Sequence, residues 1–308
     1  MRSAINIAAA ATILVAACPV CAASWSVTPY DVPGSTFTQP WGVNDSGVVV
    51  GGDDSGGFID NHGTVTVVNA PGGGNGSSLN GISNGGLAVG GNTTTSFFYR
   101  NGLFTPFAVP GSSTTTIRGI SANGRYIAGT YTDSSSDITG FVWDTTTSTL
   151  SNIIAPAGQF INVIQGVNDE GVASGSLTGG IGLIYDSATN SSSYFSSSGG
   201  LKNLRFRGIN DAGELVGWAV DSDGDFVAIL GTPATGFSTF DLGDGSSTIL
   251  YGLNNVGEAV GFYADADGSV HGFIVTPVSS VPEPSSTALM VVGLLAAGLG
   301  ASRRLKSD

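Results

Sequence analysis

The sequence returns to one short unit six times, and few folds accommodate that. Gly42-Val-Asn-Asp-Ser-Gly47 recurs as Gly81-Ile-Ser-Asn-Gly-Gly86, Gly119-Ile-Ser-Ala-Asn-Gly124 and Gly166-Val-Asn-Asp-Glu-Gly171, then as Gly208-Ile-Asn-Asp-Ala-Gly213 and Gly252-Leu-Asn-Asn-Val-Gly257. Successive units lie 39, 38, 47, 42 and 44 residues apart. A period of this length belongs to propellers and solenoids, whose units bury their apolar faces against one another.

Each unit reads as a β-hairpin followed by two further strands. Asn44, Ser83, Ser121, Asn168, Asn210 and Asn254 each precede a Gly by three residues. Asn or Ser first and Gly fourth marks a type I turn. The short aliphatic run after the turn is closed by Gly51, Gly90, Ala128, Gly175, Gly217 or Gly261. Third strands are predicted at Phe58-Ile59, Phe97–Tyr99, Phe141–Trp143, Leu183–Tyr185, Phe226–Ile229 and Phe273–Val275. Fourth strands follow at Thr64–Ala70, Leu103–Val109, Leu150–Ala155 and Phe237–Leu242, with the faintest pattern near Tyr194-Phe195. Four short strands per unit is the arithmetic of a propeller blade.

The sixth unit has no fourth strand of its own. Residues 25–32 have no unit of their own, and they resemble the fourth-strand segment Phe104–Gly111. The expectation is an all-β, six-bladed propeller in which this N-terminal strand completes the last blade, so that closure removes the exposed edges. An open β-solenoid or a pair of sandwiches is the competing architecture.

Composition excludes other classes. Of 308 residues 48 are Gly, and only 11% are charged, too few for long charged helices or a coiled coil. The glycines do not fall on every third residue, which excludes collagen. An apolar content of 41% argues against disorder. The formal charge is −13, with ten Lys plus Arg in all, so a nucleic-acid partner is not expected.

Both ends read as addresses. Met1-Arg2-Ser3, the apolar run Ala4–Ala17 and Cys21-Ala22-Ala23 form the three-part pattern of a secretory signal, cut by signal peptidase after Ala23, with Ala22 as the alternative. Val15-Ala16-Ala17-Cys18 is a loose lipobox and leaves a lipoprotein reading open. Both cysteines, Cys18 and Cys21, lie within this segment, so the domain after it contains no thiol. At the other end, Val281-Pro282-Glu283-Pro284 precedes an apolar stretch, Ala288–Ala301, and the basic cluster Arg303-Arg304-Leu305-Lys306. Fourteen residues of helix span about 21 Å, short of a bilayer core of about 30 Å. The expected layout is a signal at 1–23, the β-repeat domain at 24–280 and a tail at 281–308, with both hydrophobic helices outside the fold.

This tail resembles the PEP-CTERM sorting signal of Gram-negative exported proteins. The resemblance implies transit through the inner membrane, membrane contact through the tail, and cleavage near Pro282–Pro284 by an exosortase-type membrane protease. Arg303 and Arg304 would stay on the cytoplasmic side. A permanent short anchor is the competing reading. Over residues 42–275 the repeat is also similar to extracellular HAF-repeat proteins, whose His-Ala-Phe is approached only by His271-Gly272-Phe273. That family implies no defined activity.

Candidate chemistry is sparse. His62 and His271, the two histidines, occupy non-equivalent positions of different units, and no catalytic motif stands out. The chain is expected not to be an enzyme, since a lyase or hydrolase would need convergent His and carboxylates. No cofactor is expected apart from calcium, for which Asp221, Asp223 and Asp225 alternate in a Gly-containing loop. Asp265-Ala-Asp267 and Asp53-Asp54 occupy the corresponding loops. The residues just before the leading Gly are Trp41, Asn80, Arg118, Gln165, Arg207 and Tyr251. In a closed propeller they form one ring, a candidate ligand face. Between residues 24 and 282 there are six cations against 21 carboxylates, which suits a soluble surface or extracellular-matrix protein. The expected role is structural or adhesive, with surface proteins or exopolysaccharide as partners; a carbohydrate-binding module is the alternative.

Overall fold

The computed structural model describes residues 24–72, 76–242, 247–265 and 267–278. Contacts divide the chain into a unit Ser26–Thr276 and a second of Met1–Trp25 with Pro277–Asp308, nearly all of which lies outside the described residues. Ala23, Pro282, Glu283, Pro284, Arg303 and Arg304, with both expected hydrophobic helices, lie there too. Among the described residues no helix is long and apolar enough to cross a membrane.

Strand β1 (Ser24–Tyr30) is the first among the described residues. Blade 1 is β2 (Thr38–Val43), β3 (Val49–Asp53), β4 (Gly56–Asn61) and β5 (Thr64–Val68). Blade 2 is β6 (Ser78–Ile82), β7 (Ala88–Gly91), β8 (Ser96–Arg100) and β9 (Leu103–Phe107). Blade 3 is β10 (Thr114–Ile120), β11 (Tyr126–Thr132), β12 (Ile138–Asp144) and β13 (Thr149–Ile153). Blade 4 is β14 (Ile161–Val167), β15 (Val172–Leu177), β16 (Ile181–Asp186) and β17 (Ser191–Phe195). Blade 5 adds a two-residue strand, β18 (Ser197–Ser198), beside β19 (Leu201–Ile209), which is followed by β20 (Leu215–Val220), β21 (Phe226–Thr232) and β22 (Gly236–Phe240). Blade 6 is β23 (Thr248–Leu253), β24 (Ala259–Ala264) and β25 (Val270–Val278), with β1 as its fourth strand. The protein is a six-bladed β-propeller, and β1, from the N-terminal side of blade 1, completes the last blade.

The repeat sequence fixes each hairpin. Asn44 N–H bonds the Val48 carbonyl, and Gly47 N–H bonds the Asn44 carbonyl, giving a three-residue loop with Gly47 at φ 78°. This is a type I turn with a left-handed glycine. Units 2, 4, 5 and 6 repeat it. Unit 3 differs: Ser121 N–H bonds the Tyr126 carbonyl, so its loop is one residue longer. That insertion overturns Ala128 as the small closing residue. Gly129 lies opposite Ile117, where Gly51 lies opposite Pro40 in blade 1, while Ala128 pairs with Gly119.

This closing glycine is sterically required. A Cβ on Gly51, Gly90, Gly129, Gly175, Gly217 or Gly261 would fall on a carbonyl oxygen of the innermost strand. The third strand covers the gap, with Phe58, Phe97, Phe141 and Phe273 opposite the glycines of blades 1, 2, 3 and 6. All four rings are fully buried, each contributing about 1.5–3 kcal/mol. In blade 4 the position is Leu183; in blade 5 it is Ile229, and Phe206 on the innermost strand supplies the ring. The core lies between neighbouring blades, as where Val142 and Ile153 of blade 3 meet Ile164 and Leu183 of blade 4.

Candidate functional site

The innermost strands β2, β6, β10, β14, β19 and β23 surround the central axis, and all share one irregularity. Their pairing skips a residue between Pro40/Gly42, Leu79/Gly81, Ile117/Gly119, Ile164/Gly166, Phe206/Gly208 and Leu250/Gly252. The skipped residues are Trp41, Asn80, Arg118, Gln165, Arg207 and Tyr251. A β-bulge frees its extra residue from the ladder and re-aims the side chain. Here six bulges turn the candidate ring into the lining of one axial channel enclosing about 60 Å³.

The glycine after each bulge lets the strands meet. A Cβ on Gly42 would lie 2.8 Å from Gly81 Cα, and one on Gly252 would lie 2.8 Å from Gly42 Cα. One on Gly119 would fall on the Gln165 carbonyl oxygen. The leading Gly of the repeat is therefore a close-approach residue at the waist of the channel.

Around the axis the bulge ring is lopsided. Arg118, Gln165 and Arg207 occupy three consecutive blades, while Tyr251 and Trp41 face each other across the closure with centroids 6.5 Å apart. Asn80 donates from Nδ2 to the Ile117 carbonyl at 2.7 Å, tying blade 2 to blade 3. The Arg207 guanidinium lies 5.5 Å over the Tyr251 ring, within cation–π range. Its Nε and Nη1 are buried with no hydrogen-bond partner among the described residues. Neither Arg118 nor Arg207 has an ion pair among those residues, whereas Arg125 contacts Asp144 at 2.8 Å. Burial holds both guanidinium pKa values below their ordinary range; Tyr251 offsets this at each, and Arg118 and Arg205 depress Arg207 further. Arg205, whose Nε is also buried without a partner, lies 5.0 Å over Trp218.

One turn further along the same strands is a second ring, which sequence reasoning missed. Asn44, Asn168, Asn210 and Asn254 donate from Nδ2 to the turn carbonyls of Ser83, Asn210, Asn254 and Asn44 respectively, at 2.9–3.3 Å. The next residue in each turn repeats the pattern. Asp169, Asp211 and Asn255 donate from their N–H groups to Oδ1 of Asp211, Asn255 and Asp45 at 2.8–2.9 Å. Asn84 Nδ2 bonds Asp45 Oδ2 at 2.7 Å. In blade 3 the position is Ala122, and Asn123 N–H reaches Asp169 instead. Burial raises the Asp169 carboxyl, with Asp211 and Asp45 adding to it against the bond from Asn123. The available signal was the Asp or Asn that follows the turn Asn or Ser in five of six units.

The other candidates do not converge. Asp221 Oδ1 accepts N–H bonds from Asp223, Gly224 and Asp225, which makes the loop an Asx-capped turn. Asp53 and Asp267 cap their own turns in the same way. Among the described residues no three His, Cys, Asp or Glu side chains group as a metal centre. His62 sits at φ 52° in the two-residue turn between β4 and β5, while His271 opens a strand on the opposite face. His271 Nδ1 contacts Asp31 at 3.0 Å, next to the closing strand.

The class defined here is a closed six-bladed propeller with a polar axial channel. Residues 280–304 match the PEP-CTERM protein-sorting motif, so the chain carries the signal of proteins exported through the cell envelope and sorted by exosortase, a membrane protease. No curated protein matches the chain. Among solved structures it is similar to a protein assigned as TolB of Agrobacterium tumefaciens, at 12% identity and TM-score 0.52, over 84% of this chain and 99% of that one. It is also similar to a prolyl endopeptidase, at 13% identity and TM-score 0.46, spanning 83% of this chain and 43% of that one. The first of these likenesses agrees with the propeller fold seen here.

Proposed function

We propose that this chain is a non-catalytic surface module of a Gram-negative envelope or its extracellular matrix, made to hold a partner at its axial channel. Signal peptidase frees it after Ala23, and exosortase cuts its tail near Pro282–Pro284. The supporting observation is the bulge ring: six innermost strands each give up a ladder position to aim one side chain at the axis, and five residue types fill the six positions. A purely structural position in so regular a repeat has no reason to be bulged and varied at once. A carbohydrate, exopolysaccharide in particular, is the partner chemistry favoured by Trp41, because aromatic faces pack on sugar rings.

The test pairs mass with binding. Protein from native cells should start near Ser24 and end near Pro282; a species retaining Ala288–Ala301 overturns the processing step. The Trp41→Ala, Arg118→Ala double variant should lose binding to a glycan array or to the producing cell's surface. Unchanged binding overturns the channel as the contact site.

A further inference from the structure

The channel contains a charge arrangement that neither the fold nor the sorting motif requires. Of the six cations between residues 24 and 282, Arg118 and Arg207 are placed in the channel without an acidic partner among the described residues. Arg207 keeps two nitrogens buried with no hydrogen-bond partner among the described residues. A buried donor without a partner costs about 1–3 kcal/mol, more when charged. A guanidinium is a fork that matches a planar oxyanion with two parallel bonds. Two of them with Gln165 between form a cradle of N–H donors on one side of the ring, and Trp41 with Tyr251 forms an apolar wall on the other.

We propose that the channel binds the carboxylate of an acidic sugar, a uronate, between Arg118 and Arg207. This deepens the interaction reading above and rests on it. Size places the parts of the ligand. About 60 Å³ is roughly two water volumes, enough for a carboxylate and too little for a hexose ring. The ring must then lie outside, and a groove of about 480 Å³ begins at Trp41, Asn80 and Arg118. It opens on the face opposite the Asn turns, and its walls carry the hydroxyls of Ser78, Thr93, Thr94, Thr114 and Thr116. Such hydroxyls both donate and accept, as sugar hydroxyls do. Charge selects the anion: Asp45 and Asp211 line the turn end of the same channel, neither pairs with the two arginines among the described residues, and the domain is strongly acidic. A monoanion is therefore favoured over a phosphate dianion.

Calorimetric titration of the full chain with glucuronate, glucose and inorganic phosphate tests this. Glucuronate should bind and raise Tm, phosphate should bind more weakly, and glucose should not bind measurably. Arg207→Gln and Arg118→Gln should each weaken glucuronate at least tenfold, with folding confirmed by circular dichroism. Arg100→Gln, which alters an exposed arginine bonded to the Gly85 carbonyl, should leave it unchanged. Absent glucuronate binding, equal binding of glucose, tighter phosphate, or no effect of both channel variants overturns the proposal. If neutral glycans or cell surfaces still bind, the interaction reading survives and only the uronate is lost.

Discussion

Two rings encircle the same axis on the same six strands, and they treat their polar groups in opposite ways. In the turn ring, Asn254 uses both ends of its amide. Oδ1 accepts from Val256 and Glu258 within its own turn, and Nδ2 donates across the closure to Asn44. In the bulge ring, Arg207 leaves two nitrogens without a partner among the described residues. A saturated ring holds blades together; an unsaturated one retains bonding capacity for something else. The contrast separates what the repeat keeps constant from what it varies.

The sharpest way to break the comparison lies between the rings. Gly119→Ala drives a Cβ onto the Gln165 carbonyl and should cost at least about 3 kcal/mol, read as a collapse of the urea midpoint. Next is the turn ring: Asn254→Ala removes a buried amide that bridges blades 6 and 1, for a loss of about 2 kcal/mol. Ser83→Ala removes a hydroxyl that works only within its own turn, so about 1 kcal/mol is expected. A smaller effect of opposite sign is expected in the bulge ring. Arg207→Gln removes a half-buried charge without a counterion among the described residues and should leave the apo protein as stable or up to about 1 kcal/mol more stable. A clear destabilisation there would make Arg207 a structural residue.

The smallest effect concerns the closure itself. The Asp31 hydrogen bond and charge, with Asp265 and Asp267, hold the His271 pKa above its ordinary value against desolvation. Folding therefore gains stability that is fully present below the unfolded pKa of about 6.5 and is lost as pH rises through the higher folded value. Both groups are partly exposed, so the amount is below about 1 kcal/mol. The Tm gap between wild type and Asp31→Asn should be open at pH 5.5 and close by pH 8.5; a gap independent of pH would assign Asp31 to neutral hydrogen bonding alone.

Much of this was legible because the repeat encodes local geometry. The turn Asn or Ser and the left-handed Gly specify a hairpin without help from distant residues, so strand number and closure followed from counting. Ala128 failed because one inserted residue in the unit 3 loop shifts the register, and register is a property of pairing rather than of either strand. The ring positions were visible as the variable residues before Gly42 and its equivalents. That they are bulges was not visible, since a bulge exists only relative to its partner strand. Arg118 and Arg207 were legible as ring members, but that they lack an acidic partner among the described residues shows only in the packing.

The pairing of β1 with β25 also fixes an order of events. Asp31, just past the first strand to be made, waits for His271, 240 residues later. A chain arrested after blade 5 carries a leading strand with an open backbone edge, the kind of edge that recruits other chains. Only the arrival of the last strand quenches it. Closure of the ring thus waits on β25, and a product truncated before it announces itself by what it sticks to.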